Sequence, residues 1–147
     1  MRGTLICSVN DKDDSRAALE LAVELSARLG LRLVLAHARD GIEAGADGAE
    51  SVSMRANREG GARLLARLAA EYGIADSAEQ RTGTGDAATL IGQIAAEEAA
   101  DLIVVGARKG GWLRRGLESR LAEQLGSETP VPVLIAPPRR NGGKVAL

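Results

Sequence analysis

Basic side chains and glycines crowd the stretch "GARKGGWLRRGLESR", Gly106 to Arg120. Arg108, Lys109, Arg114, Arg115 and Arg120 stand against a single acid, Glu118. Gly110-Gly111 can turn consecutive N–H groups into an anion-binding concavity. Ser119 lies where the N-terminus of a following helix would add its own amides. The chemistry this spacing suits is the holding of a phosphate or another anion. A solvated basic loop is the competing reading, and residue types alone leave both open.

Four other groups could do chemistry. "TGTGDAA" contains Gly83-x-Gly85-x-x-Ala88 between a strand-like and a helix-like run. A dinucleotide fingerprint belongs to the first strand–helix unit and wants an acid ending the next strand. Here the unit is the third and Asp101 opens the next strand, so the preferred reading is a tight turn with Asp86 capping a helix. Asn10, Asp11, Asp13 and Asp14 cluster after the first strand, where a phosphorelay receiver holds a metal. A receiver also needs an Asp ending its third strand and a Lys ending its fifth, and those ends read Arg81-Thr82 and Ala136-Pro137. The cluster therefore reads as a charged turn. His37, the only histidine, ends the second strand; alone it cannot make a zinc site, and it reads as a packed, hydrogen-bonded ring rather than a catalytic one. Cys7, inside a strand, reads as a small core residue.

The elements that must position these residues alternate. Thr4–Val9 is a short apolar run rich in β-formers. Asp13 to Leu29 repeats apolar residues at three-to-four spacing, and Gly30 closes it. "LRLVLAHA" is a second strand and "SAEQRT" a third, more polar one. A second helix is marked by Met54, Arg58, Gly61, Leu65, Leu68 and Tyr72, with Gly60-Gly61 a soft or closely packed point. Asp86 to Ala99 is a third helix, and Asp101–Gly106 is a strand apolar enough to be buried on both faces. Leu117–Gly126 reads as a short helix and "PVPVLIAPP" as the last strand. Pro130 and Pro132 cannot donate to a ladder, so that strand has an edge or an interface on one side. The alternation implies one doubly wound, five-stranded parallel sheet with helices on both faces. Ligands of such folds sit beyond the strands' carboxyl ends, here at loops 10–14, 38–51, 83–86 and 106–119.

Composition removes several function classes. The 147 residues fit one domain, assigned to 1–138 with a loose tail at 139–147. One Trp, one Tyr and no Phe leave no aromatic platform for stacking bases. With 19 basic and 20 acidic residues the net charge of -1 gives no field for nucleic acid or an acidic membrane. One cysteine excludes an internal disulfide, and no leader or run of 18 apolar residues is seen. The expectation is a soluble cytoplasmic protein with no nucleic-acid or membrane partner.

Taken in order, these segments resemble the universal stress protein family over nearly the whole chain. The matching pieces are "LICSVNDKDDSRAALELAVELSARLG", "LAHA", Gly85-Asp86, "ADLIVVG" and "PVPVLI". The resemblance implies a Rossmann-like sheet of the adenine-nucleotide-binding type, with a homodimer through the last strand at Val131, Val133, Leu134 and Ile135. The family divides into members that bind ATP and members that do not. Binders carry a pattern resembling G-x2-G-x9-G-[ST], which aligns with Gly106, Lys109, Ser119 and Arg120, keeping only the first glycine. The early Asp of binders aligns with Asn10, and the position offering backbone groups to adenine aligns with Ala38. Lys109 puts a long side chain where backbone should approach phosphate, and Arg120 replaces a small hydroxyl. The expectation is a non-catalytic stress-response homodimer that does not hold ATP tightly and has no certain cofactor. The alternative is an ATP- or AMP-binding sensor using Asn10, Ala38, Gly106, Lys109, Ser119 and Arg120. An adenylating enzyme would want a phosphate loop near the start, and "SVNDKDDS" lacks its glycines.

Overall fold

The computed structural model describes residues 3–9, 13–39, 52–106 and 115–137, with backbone alone at 13–14, 39, 52–59 and 115–120. The elements run β1 (Thr4–Ser8), α1 (Asp13–Leu29), β2 (Arg32–Arg39), α2 (Val52–Glu71), β3 (Glu79–Thr84), α3 (Ala87–Glu97), β4 (Leu102–Gly106), α4 (Arg115–Glu128) and β5 (Val133–Ala136). All neighbouring strands are parallel, in the order β3-β2-β1-β4-β5. The chain winds outward from β1 to β3, returns to β4 on the other side of β1, and ends at β5. This is the doubly wound architecture that the alternation implies.

Both faces of the sheet are buried at its central strands, and alternate residues of each central strand serve them. Leu5 and Cys7 of β1 and Leu33 and Leu35 of β2 pack with Ala18, Leu19 and Ala22 of α1 and Leu65 and Leu68 of α2. Ile6, Val34, Ile103 and Val105 point the other way, onto Ile91, Ile94 and Ala95 of α3 and Leu125 of α4. Most of these side chains are wholly buried. Each buried Leu or Ile contributes about 1.5–3 kcal/mol of transfer free energy. An aliphatic core, with Tyr72 packed at its margin, is therefore enough for a sheet covered on two sides.

Helix ends follow local chemistry. Gly30 takes φ +65 and the N–H of Leu31 reaches back to the carbonyl of Ser26 at 2.9 Å, closing α1. In α2, Gly60 faces open space and Gly61 is buried. α3 stops at Glu97, two residues short of the sequence expectation, because Ala99 swings to φ 51 and the N–H of Ala100 bonds the carbonyl of Ala95 at 2.9 Å. A left-handed alanine costs about 1–2 kcal/mol more than a helical one, a cost the closing hydrogen bonds offset. α4 begins at Arg115 rather than Leu117.

The last strand is shorter than "PVPVLIAPP" suggests, spanning Val133–Ala136. The prolines stand before it. Proline lacks a donor but keeps its acceptor, and the Pro132 carbonyl takes the N–H of Ile103 at 3.0 Å, extending contact with β4 by one bond. Among the described residues β5 has no strand on its far side, as the prolines before it lead one to expect.

At the amino end of the sheet, five charged side chains from β2, β3 and α3 are tied together. Arg32 donates to Glu79 and Glu98 at 2.6 Å each, and Arg81 donates to Glu98 at 2.7 Å and Glu97 at 2.8 Å. Glu98, only 15% exposed, thus accepts from two guanidinium groups. The bond from Arg32 and then that from Arg81 hold its carboxyl below the usual carboxylate range, against the opposing effect of burial. No local spacing in the sequence announces this group: its members lie up to 66 residues apart.

Candidate functional site at the carboxyl end of the sheet

In a doubly wound sheet the chain leaves β1 and β4 in opposite directions, and the crevice between their carboxyl ends takes ligands. Here β1 ends at Ser8, β2 at Arg39 and β4 at Gly106. Ala38 pairs in register with Gly83 of β3, and Gly106 with Ala136 of β5. The two positions therefore stand at the same end of the sheet, on the strands flanking β1. Both are partly buried.

The remaining sequence candidates divide by location. Asn10 and Lys109 lie outside the described residues, as do Asp11, Arg108, Trp112 and Arg114. Ser119 and Arg120 are placed by backbone as the fifth and sixth residues of α4, counted from Arg115. A helix leaves its first four N–H groups without intrahelical partners, so the Ser119 amide lies one residue past them. The sequence reading, which put Ser119 at the helix N-terminus, is corrected by the earlier start of α4. The amides at that terminus belong to residues 115–118.

The "TGTGDAA" segment forms the β3–α3 turn. Gly85 takes φ +123, which an L side chain rarely adopts. Asp86 caps α3, accepting from the Thr89 N–H at 3.0 Å and the Thr89 hydroxyl at 3.1 Å. Gly83 has a second reason to be glycine: a Cβ there would sit 2.6 Å from the Leu90 side chain, which seats α3 on the sheet. Turn and packing account for both glycines.

His37 connects β2 to the end of β1. The Val9 N–H donates to the Ala36 carbonyl at 2.8 Å, and His37 Nδ1 lies 2.7 Å from the Val9 carbonyl oxygen. A carbonyl only accepts, so Nδ1 is the donor and carries a proton. The sequence expectation of a hydrogen-bonded ring holds. The fixed tautomer was not visible in the sequence, because Val9 lies 28 residues away and only parallel pairing brings it near.

Cys7, wholly buried in β1, is the structural residue the sequence suggests. Burial pushes its thiol up to about 12, so it is not a nucleophile at neutral pH. On β5 the four expected interface residues separate. Val131 and Val133 pack partly inward against the α3/α4 side of the core, while Leu134 and Ile135 are 39% and 43% exposed. Among the described residues no helix is long and apolar enough to cross a membrane.

A parallel 3-2-1-4-5 sheet with helices on both faces defines a doubly wound protein of the Rossmann-like class. Residues 1–137 match the Universal stress protein family, and the chain belongs to it. No curated protein sequence matches it. Among solved structures it is similar to a universal stress family protein of Burkholderia pseudomallei, with 26% identity and a TM-score of 0.68 over 90% of this chain and 94% of that one. A universal stress family protein of Arabidopsis thaliana with AMP bound is 22% identical, with a TM-score of 0.62 over 95% and 93% of the two chains. The universal stress protein of Archaeoglobus fulgidus in complex with dAMP is 17% identical, with a TM-score of 0.61 over 90% and 96%.

Proposed function

We propose that this protein is a non-catalytic, cytoplasmic stress-response protein that works as a homodimer joined along β5 and does not hold ATP tightly. The carrying observation is β5 itself: an edge strand, unpaired on its outer side among the described residues, with Leu134 and Ile135 partly exposed. Exposed apolar edges invite pairing with another chain, and a second copy offers the same edge for an isologous contact. A free, buried Cys7 suits a reducing compartment. Weak ATP binding rests on Lys109 and Arg120 standing where binders of the family have a glycine and a hydroxyl. Calorimetric titration with MgATP tests it. The expected result is no saturable heat at micromolar concentrations; one site per chain in that range would overturn it.

A second reading concerns a smaller ligand. Two structures of the same fold are described with AMP and dAMP. A nucleoside monophosphate depends least on a loop built for a triphosphate, so the substitutions at Lys109 and Arg120 weigh least against it. Ala38 and Gly106 would flank it, with Asn10 near the ribose. The same titration run with AMP gives the answer: a single saturable site supports this reading, and absence of heat at millimolar ligand removes it.

A further inference from the structure

His37 carries an atom that neither the fold nor the family pattern uses. Its Nδ1 is committed to the Val9 carbonyl at 2.7 Å. Its Nε2, the ring nitrogen farther from the β2 backbone, has no hydrogen-bond partner among the described residues. The side chain is half-buried and stands one residue before Ala38, beside the end of β1. Because Val9 can only accept, the proton of the neutral ring stays on Nδ1, and Nε2 is left as a lone-pair acceptor. A neighbour's carbonyl, rather than solvent, thus sets which way this atom reads.

We propose that His37 is a specificity-determining residue of the carboxyl-end crevice, whose Nε2 accepts a hydrogen bond from an N–H or O–H donor on a bound nucleoside monophosphate. The inference rests on the monophosphate reading above. The ligand chemistry is a donor on the nucleoside part, supplied either by the exocyclic amine of adenine or by a ribose hydroxyl. Phosphate oxygens, which only accept, do not satisfy a neutral Nε2. The residue therefore selects for the nucleoside rather than for its charge.

The test uses the protein's single histidine, which gives one set of imidazole nitrogen resonances. Protein labelled with 15N is titrated with AMP, and the imidazole nitrogens are followed with the amides of Ala38 and Gly106. At a pH where the ring of the free protein is neutral, the expected pattern is a protonated Nδ1 and an unprotonated Nε2. On binding, Nε2 shifts upfield as it accepts a hydrogen bond, Nδ1 stays, and the two amides move. Purine riboside monophosphate, which lacks the amine and gains no N1–H, and 2′,3′-dideoxy-AMP, which lacks both ribose hydroxyls, separate the donors: the ligand missing the right one leaves Nε2 where it was. Amides that move while Nε2 stays fixed with all three ligands would overturn the role of His37 and leave nucleotide binding intact. No amide movement at millimolar AMP overturns both. His37→Asn keeps a donor for Val9 but lacks the far nitrogen. It is expected to weaken AMP about tenfold with an unchanged amide spectrum elsewhere; unchanged affinity counts against the proposal.

Discussion

β3 closes the sheet on one side and β5 on the other, and among the described residues each has one flank without a strand neighbour. Along β3, Glu79 and Arg81 are drawn into the ion network centred on Glu98. Along β5, Leu134 and Ile135 meet solvent with no charge beside them on the strand. An incoming strand at β3 would have to displace or partly desolvate paired charges that are a third to half exposed, which opposes pairing there. At β5 it would only cover apolar surface. Two edges of one sheet thus differ in what they permit, and the difference lies in side chains rather than in backbone.

The sharpest way to break this contrast is to charge the permissive edge. Leu134→Asp with Ile135→Asp is expected to weaken self-association by at least 100-fold, since each buried Leu or Ile is worth about 1.5–3 kcal/mol. Sedimentation velocity should show a monomer that retains its helical circular dichroism. A dimer that persists would move the interface elsewhere.

Opening the guarded edge comes next. Glu79→Val with Arg81→Val removes the charges from β3 and gives the sheet two apolar edges. Light scattering at rising concentration should then show species larger than a dimer, because assembly can continue from the second edge. An unchanged mass would mean that the β3 charges do not guard it.

The smallest effect concerns how the guard is held. Glu98→Gln keeps the shape but loses the carboxylate shared by Arg32 and Arg81, and about 1 kcal/mol of stability is expected to go with it at pH 7. The folded-state carboxyl is held below its usual value of 4.5. Its contribution is therefore complete above that pH and is lost as pH falls through the lower, folded value. Urea unfolding of both proteins should give a difference that is constant at neutral pH and disappears in acid. A difference that grew with acidity would contradict the assignment.

How much of this was legible in the sequence depends on the range of the interaction. The apolar runs around Leu5–Cys7 and Ile103–Val105 marked central strands, because burial on both faces leaves no room for polar residues. The polar "SAEQRT" marked a less buried strand for the converse reason, and Pro130 and Pro132 marked a strand with an edge or an interface on one side. Boundaries were less legible. The start of α4 lies in a basic, glycine-rich stretch without a capping residue, and the extent of β5 turned on a proline carbonyl that still pairs. For the site, the family pattern named residues by order along the chain. The fold brings Ala38 and Gly106 to one end of the sheet, and it moves Ser119 a full turn into α4. The Glu98 network and the bond from His37 to Val9 were illegible, because each joins residues that only the parallel pairing of distant segments brings together.

Cys7 lies in the central strand β1, on the face that α1 and α2 cover, and that layer must part before water reaches it. The burial that silences its chemistry also gives the molecule an internal clock. A thiol reagent in solution records only the moments when the middle of the sheet stands open. In a protein with one sulfhydryl, the pace of that labelling is a direct tally of how often the layer over β1 lets go.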